Sequence, residues 1–130
     1  ENAQFDIGWQ TEIETWRNYG FLEESVMGRR RYFEDGENPN ELVNFPIQGA
    51  GASLMNIAII DLAERIPLNK WGLGTGIINQ CHDAIIVECP KSEAEWVHAQ
   101  IEDAMNLEHE SLPGVKITAE ADIGHRWSEV

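Results

Sequence analysis

Residues 76–90 read Gly-Ile-Ile-Asn-Gln-Cys-His-Asp-Ala-Ile-Ile-Val-Glu-Cys-Pro. Two apolar runs, Ile77–Cys81 and Ala84–Val87, flank the polar pair His82-Asp83. That spacing predicts a β-hairpin closed by a two-residue turn. Asp tolerates left-handed backbone angles better than most residues, and His is enriched there too. A carboxylate would then stand at the tip of a stiff, half-buried ribbon, a mount that can hold a metal-binding oxygen in register. On the hairpin alone, an ordinary tight turn is the commoner explanation.

Towards the carboxy terminus, Ser92-Glu93-Ala94-Glu95 reads as a capping box. The helix it opens puts Ala94, Val97, Ile101, Ala104 and Met105 on one face and ends near Leu107. Pro113-Gly114 makes a turn. Val115, Ile117, Ala119 and Ala121 then alternate with polar residues, which predicts a half-buried strand, and Gly124-His125-Arg126-Trp127 closes the chain. Towards the amino terminus, Asn69–Gly76 is a Gly-rich connector without the spacing of a phosphate loop. Gln48–Ile66 predicts a helix with Leu54, Ile57, Ala58 and Leu62 on one face, ended by Pro67. Its front, Gln48-Gly49-Ala50-Gly51-Ala52-Ser53, is small enough for close backbone approach, by a packed helix or by a substrate. Glu34–Asn40 reads as a loop. Phe21–Met27 and Arg30–Phe33 flank Gly28 as a short hairpin, and Ile7–Tyr19 predicts a helix stopped by Gly20. The order helix, hairpin, helix, hairpin, helix, strand predicts an α+β fold: antiparallel hairpins with helices packed on one face, in one domain spanning 1–130.

The net charge of −14 opposes binding to nucleic acid or anionic membrane when taken alone. The acids are uneven, however. Residues 44–87 hold only Asp61, Glu64 and Asp83, so Asp83 stands out in a nearly neutral segment. The one basic cluster is Arg29-Arg30-Arg31, which can touch a phosphate backbone or pair with Glu23, Glu24, Glu34 and Asp35; surface pairing is the commoner fate of such a triplet. With Cys81 opposite Ala84, Cys89 lies roughly 16 Å away at strand rise, beyond disulfide reach. Two free thiols suggest a reducing, intracellular setting. No secretory signal and no uninterrupted apolar run of membrane length is visible, so no membrane partner is expected.

Asp83 offers hard oxygens suited to Mg²⁺. No Asp-x-Asp or His-x-x-x-His partner accompanies it, so a second carboxylate would come from elsewhere, including from outside this chain. His98, His109 and His125 lack ligand spacing and read as surface or packing residues. Cys81 and Cys89 read as small core residues.

Four separated stretches together resemble the carboxy-terminal part of family A, polymerase-I-like DNA polymerases, a group that includes many phage replicative enzymes. They are Met27-Gly28-Arg29-Arg30-Arg31-Tyr32-Phe33, Asn44-Phe45-Pro46-Ile47-Gln48-Gly49, Gln80-Cys81-His82-Asp83-Ala84 through Glu88-Cys89-Pro90, and Gly124-His125-Arg126-Trp127. The resemblance covers about Tyr19 to Val130. It implies a fragment of the palm subdomain, with Asp83 as one of two carboxylates holding a catalytic Mg²⁺ pair and the other carboxylate outside this chain. It implies that His82 lines the primer terminus, that Asn44 and Gln48 face the nascent pair and the minor groove, and that Arg29, Arg30 and Arg31 lie near the DNA backbone. The implied partners are primer-template DNA, deoxynucleoside triphosphates and the upstream part of the polymerase, in cis or as a separate chain. Gly124 and Trp127 match a terminal motif read as packing.

The sequence departs from the family pattern at Ala84, often Glu there, and at Asn40, often Arg. The segment between Tyr32 and Asn44 is also shorter than in bacterial members. The first metal-binding Asp motif and the nucleotide-binding fingers helix lie upstream in the family and outside these residues, so this chain alone is expected to be inactive. The alternative is a non-catalytic palm-like binding or assembly module. Exposed apolar surface separates the two, because a part of a polymerase leaves uncovered the face its remainder would bury.

Overall fold

The computed structural model describes residues 18–34, 38–66 and 74–129. The chain divides into two compact units, residues 1–53 and 54–130. The helix predicted over Ile7–Tyr19 falls almost wholly outside the described residues. Its last two, Asn18 and Tyr19, are helical, and Gly20 follows with a φ of 74°, the left-handed angle at which a glycine stops a helix.

In the first unit, β1 (Phe21–Glu23) pairs antiparallel with β2 (Arg30–Tyr32) in the register Phe21↔Tyr32, Leu22↔Arg31 and Glu23↔Arg30. This is the predicted hairpin around Gly28. It is followed by α1, Pro39–Arg65, 27 residues long. The helix therefore begins nine residues before Gln48, within the stretch read as loop. Asn38 caps it, its side-chain oxygen accepting the Asn40 N–H at 3.0 Å, and Pro39 at the first helical position has no N–H to satisfy. Pro46 sits inside α1, where it has no N–H to donate to the carbonyl four residues back.

Along the first half of α1, Leu42, Ala50 and Ser53 are buried. In the second unit the buried positions become Leu54, Ala58 and Leu62, the predicted apolar face, with Ile57 half-buried. By length and composition, Asn40–Arg65 is apolar enough to cross a membrane, which the sequence reading did not anticipate because polar residues interrupt every run. Its Ser53 and Arg65 make hydrogen bonds to Glu24 and to Asp61 and Asp103, the contacts of a helix packed within protein.

The predicted central hairpin forms as β3 (Gly76–Cys81) and β4 (Ala84–Glu88), with Cys81 opposite Ala84. Its register shifts at Ile77/Asn79, so Ile78 is an extra, exposed residue. Ile77, Ile85 and Val87 pack one hairpin face onto Leu62 and Ile66, at the end of α1, and onto Ala104 and Ile101 of α2 (Ala94–Met105). Antiparallel hairpins with helices on a face confirm the α+β architecture.

Three local expectations are corrected. The capping box does not form. Lys91–Glu93 makes a 3-10 turn after Pro90, and Glu93 at the helix cap makes no side-chain cap bond; its carboxylate accepts the Thr75 hydroxyl at 2.9 Å instead. Residues 115–121 make no strand among the described residues, only an isolated bridge between Glu108 and Lys116. The alternation holds in burial only from Ile117 on: Ile117, Ala119 and Ala121 are half-buried, whereas Val115 is exposed. The segment is held instead by Ile117 N–H on the Leu107 carbonyl, Ala119 N–H on Asn106 Oδ1 and Ala121 C=O on His98. Trp127, expected to pack, is 61% exposed.

Candidate functional site

The β3–β4 tip is built from its strands inward. Cross-strand pairs from Gly76↔Glu88 to Cys81↔Ala84 leave His82 and Asp83 as the two turn residues. The positive φ, 53°, falls on His82, the first of them. Among the described residues His82 is the one non-glycine with such an angle, which costs a Cβ-bearing residue about 1–2 kcal/mol. Gln80 fastens the turn, its side-chain amide donating to the His82 carbonyl at 2.9 Å. The sequence reading gave Gln80 no role, although a polar side chain just before the turn was the available signal. His82 and Asp83 are both exposed. Among the described residues no group of three His, Cys, Asp or Glu side chains could hold a metal ion.

Cys81 and Cys89 are free thiols; Cys89 is half-buried, but Cys81 is exposed rather than in the core, because it is the last paired residue before the turn. Burial, with Glu93 and Glu88 nearby, pushes the Cys89 thiol up and keeps it protonated. His98 is a packing residue, as expected, through its bond to Ala121.

Asn44, Gln48, Arg29, Arg30 and Arg31 lie in the first unit. Asn44 and Gln48, four apart on α1, share one helix face and are exposed. The small residues beyond them divide: Gly51 and Ala52 are exposed, whereas Gly49, Ala50 and Ser53 are buried. Each arginine has an acidic neighbour. Arg30 pairs with Glu23 and lies 4.6 Å over the Phe21 ring; Arg31 pairs with Glu41 at 2.8 Å and lies 5.0 Å over Phe33. Arg29 donates to the Gly49 carbonyl at 2.9 Å and stands 3.7 Å from Glu24.

Glu24 was not singled out as a site residue by the sequence. It is 1% exposed, and its carboxylate accepts the N–H groups of Val26, Met27 and Arg29 and the hydroxyl of Ser53, at 2.8–3.1 Å. Burial pushes this carboxyl up, but the bonds from Arg29, Val26, Ser53 and Met27 outweigh it and hold it below the ordinary range. Its signal in the sequence was weak, since one acid of the Glu23-Glu24 pair faces outward.

Against known proteins, the model of DNA polymerase family A matches residues 9–129. DNA polymerase I of Chloroflexus aurantiacus is 30% identical over 91% of this chain and 13% of its own length. DNA polymerase I of Aquifex aeolicus is 36% identical over 69% of this chain and 16% of its own. The thermostable DNA polymerase I of Thermus aquaticus is 31% identical over 88% and 14%. Among solved structures, the POL domain of an M. smegmatis protein in complex with DNA primer-template and dNTP superposes with a TM-score of 0.64 at 25% identity, over 84% of this chain and 20% of that one. The chain thus spans 13 to 16% of the length of these curated relatives.

Proposed function

The chain belongs to DNA polymerase family A, and from that premise we propose that it is the carboxy-terminal palm portion of a template-directed DNA polymerase. It supplies Asp83 to a magnesium site and needs the upstream part of the enzyme, fused or separate, for activity. The observation that carries this is the tip of β3–β4: a carboxylate raised on a two-residue turn whose strands are paired to the last residue and packed on one face.

Mg²⁺ takes one or two protein carboxylates and completes its shell with phosphate oxygens and water. One exposed, rigidly mounted Asp83 fits that demand, with the second carboxylate coming from the upstream part. When bound, a metal pair supplies charge stabilisation at the attacking and leaving oxygens. The residues of this chain do the positioning. Asp83 holds its oxygens at a fixed height above the hairpin. His82, its backbone pinned by Gln80, faces the primer terminus whose 3′-hydroxyl attacks the α-phosphate as pyrophosphate leaves. Asn44 and Gln48 read the minor groove, where acceptors are nearly the same for every correct pair, and the Arg29–Arg31 triplet follows the phosphate backbone.

A self-contained, non-catalytic module would close its apolar faces. Here Val43 and Ile47, four apart on α1, are both exposed, as are Ile60 and Ile78 of the second unit, which supports a part made to be covered. The test is primer extension with Mg²⁺ and all four deoxynucleotides, using this chain alone, this chain with the upstream part, and that pair carrying Asp83→Asn. Extension in the unmutated pair alone is expected. Extension that survives Asp83→Asn removes Asp83 as a ligand, and no extension despite binding of the two parts favours the module.

A further inference from the structure

Nothing in the proposed chemistry uses Glu24, yet it is the most completely buried charged side chain among the described residues. Burying a carboxylate is costly unless hydrogen bonds replace its water, and here residues 24–29 wrap around it. The Glu24 N–H bonds to the Arg29 carbonyl at 3.0 Å, and the Gly28 N–H returns to the Glu24 carbonyl at 3.1 Å. Inside that ring the carboxylate takes three amides of its own turn, then reaches across to the Ser53 hydroxyl on α1. Its stem crosses α1 at Gly49, where a Cβ would lie 3.1 Å from the Glu24 Cβ.

A turn alone does not need this. Gly28, at a φ of 69°, already supplies the reversal. What the carboxylate adds is control of the residue leaving the ring. Arg29 has its N–H on Glu24 Oε1, its Nε 3.7 Å from the same oxygen, and its Nη2 on the Gly49 carbonyl. Held at both ends, the Arg29 side chain still leaves 47% of its surface exposed, next to Gln48 in sequence terms through Gly49. An arginine carries five N–H donors in a fixed fork, so one bond to Gly49 leaves most of the fork for an anion.

We propose that Glu24 is a positioning residue that aims Arg29, through the Glu24–Ser53–Gly49 contact, at the phosphate backbone of the bound duplex. The inference rests on the reading of Arg29 as a duplex contact. Glu24 touches no substrate. It lowers the cost of ordering Arg29 on binding, so its loss weakens primer-template affinity and spares the chemical step.

The test uses the complete polymerase, this chain with its upstream part, as wild type, Glu24→Gln, Arg29→Ala, the double variant and Ser53→Ala. KM for primer-template, kcat and thermal unfolding are measured across a salt series. Glu24→Gln is expected to raise KM about tenfold with kcat little changed, the scale of one charge-assisted hydrogen bond. The slope of log affinity against log salt should fall by about one in Glu24→Gln and in Arg29→Ala alike. The double variant should be no worse than Arg29→Ala. Should Glu24→Gln fail to fold, Ser53→Ala, which keeps the charge and the three amide bonds, must still raise KM. Losses that add in the double variant, a lowered unfolding temperature with KM and salt slope unchanged, or a neutral Ser53→Ala where Glu24→Gln does not fold, each overturn the proposal. If Arg29→Ala raises KM and Glu24→Gln does not, the aiming role alone is lost. If Arg29→Ala changes neither KM nor slope, the duplex contact falls as well.

Discussion

Glu24 and Gly49 form a matched pair, and each makes a prediction. Because its carboxyl is held below the ordinary range, Glu24 contributes stability that is fully present above the unfolded glutamate pKa of about 4.3. That contribution is lost as pH falls through the lower folded value. Acid titration followed by tryptophan fluorescence should therefore show the wild-type chain losing stability below about pH 4.3 more steeply than Glu24→Gln, which has no proton to take up; equal steepness would remove Glu24 as the source. Gly49→Ala tests the same contact from the other side. Within a helix this change usually gains up to about 1 kcal/mol. Here the new methyl would meet the Glu24 Cβ and Cγ at 3.1 and 3.2 Å, and Glu24 is tied by four hydrogen bonds and cannot swing away. Destabilisation of about 1–3 kcal/mol, the usual cost of overpacking, is expected in urea unfolding; a gain would mean that Glu24 moves freely.

The elements divide into those whose partners are local and those whose partners are not, and this decides what the sequence disclosed. The turn end of the β3–β4 hairpin was legible because strand and partner are two residues apart, and Cys81↔Ala84 follows from counting, whereas the bulge at Ile78 was not. The first half of α1 was not. Pro46 and the Asn38-Pro39-Asn40 run look like breakers, yet Asn38 and Pro39 are a cap and a first-turn proline, and the buried row Leu54, Ala58 and Leu62 runs back in steps of four through Ala50 to Leu42, across that apparent break. The alternation at 115–121 identified Ile117, Ala119 and Ala121 as half-buried but not the exposed Val115, and it could not name a pairing partner. At the candidate site the same division holds: the exposed His82-Asp83 tip could be read from its turn, whereas Glu24 depends on Ser53, 29 residues away. In the second unit, two kinds of contact join α1 to its surroundings and differ in worth. Arg65 bridges Asp61 and Asp103, and these bonds hold its guanidinium above its ordinary pKa. All three side chains are partly exposed, so the pairing is worth only about 0.2–1 kcal/mol. Leu62 is fully buried at the centre of the cluster with Ile66 and Ala104. Asp103→Ala is thus expected to leave the urea midpoint nearly unchanged, and Leu62→Ala to cost about 2–5 kcal/mol. The reverse ranking would mean that the ion pairs, not the apolar cluster, hold α1 in place.

At the scale of the whole molecule, the apolar core within each unit is small among the described residues. The second is centred on Leu62, Ile66 and Ala104, with four partly buried neighbours, while Tyr32, Ile47, Ile78 and Val115 remain exposed. Small apolar clusters of this kind give marginal stability, and a two-stranded hairpin such as β3–β4 is itself marginal without a packed face. The net charge of −14 adds self-repulsion. All of this changes if the upstream part of a polymerase covers the exposed side chains. A partner that binds only the folded chain stabilises it by mass action, by about 2.7 kcal/mol at a hundredfold excess over its dissociation constant. For a unit of 60–100 residues each kcal/mol moves the midpoint by roughly 4–8 °C. Scanning calorimetry of this chain should therefore show a low midpoint that rises by roughly 10–20 °C as the upstream part is titrated in. The rise should continue with concentration after the site is mostly filled, as linkage requires and a simple change of solvent would not produce. A midpoint indifferent to the upstream part would mean that the exposed side chains need no cover, and the chain would then stand as a module complete in itself.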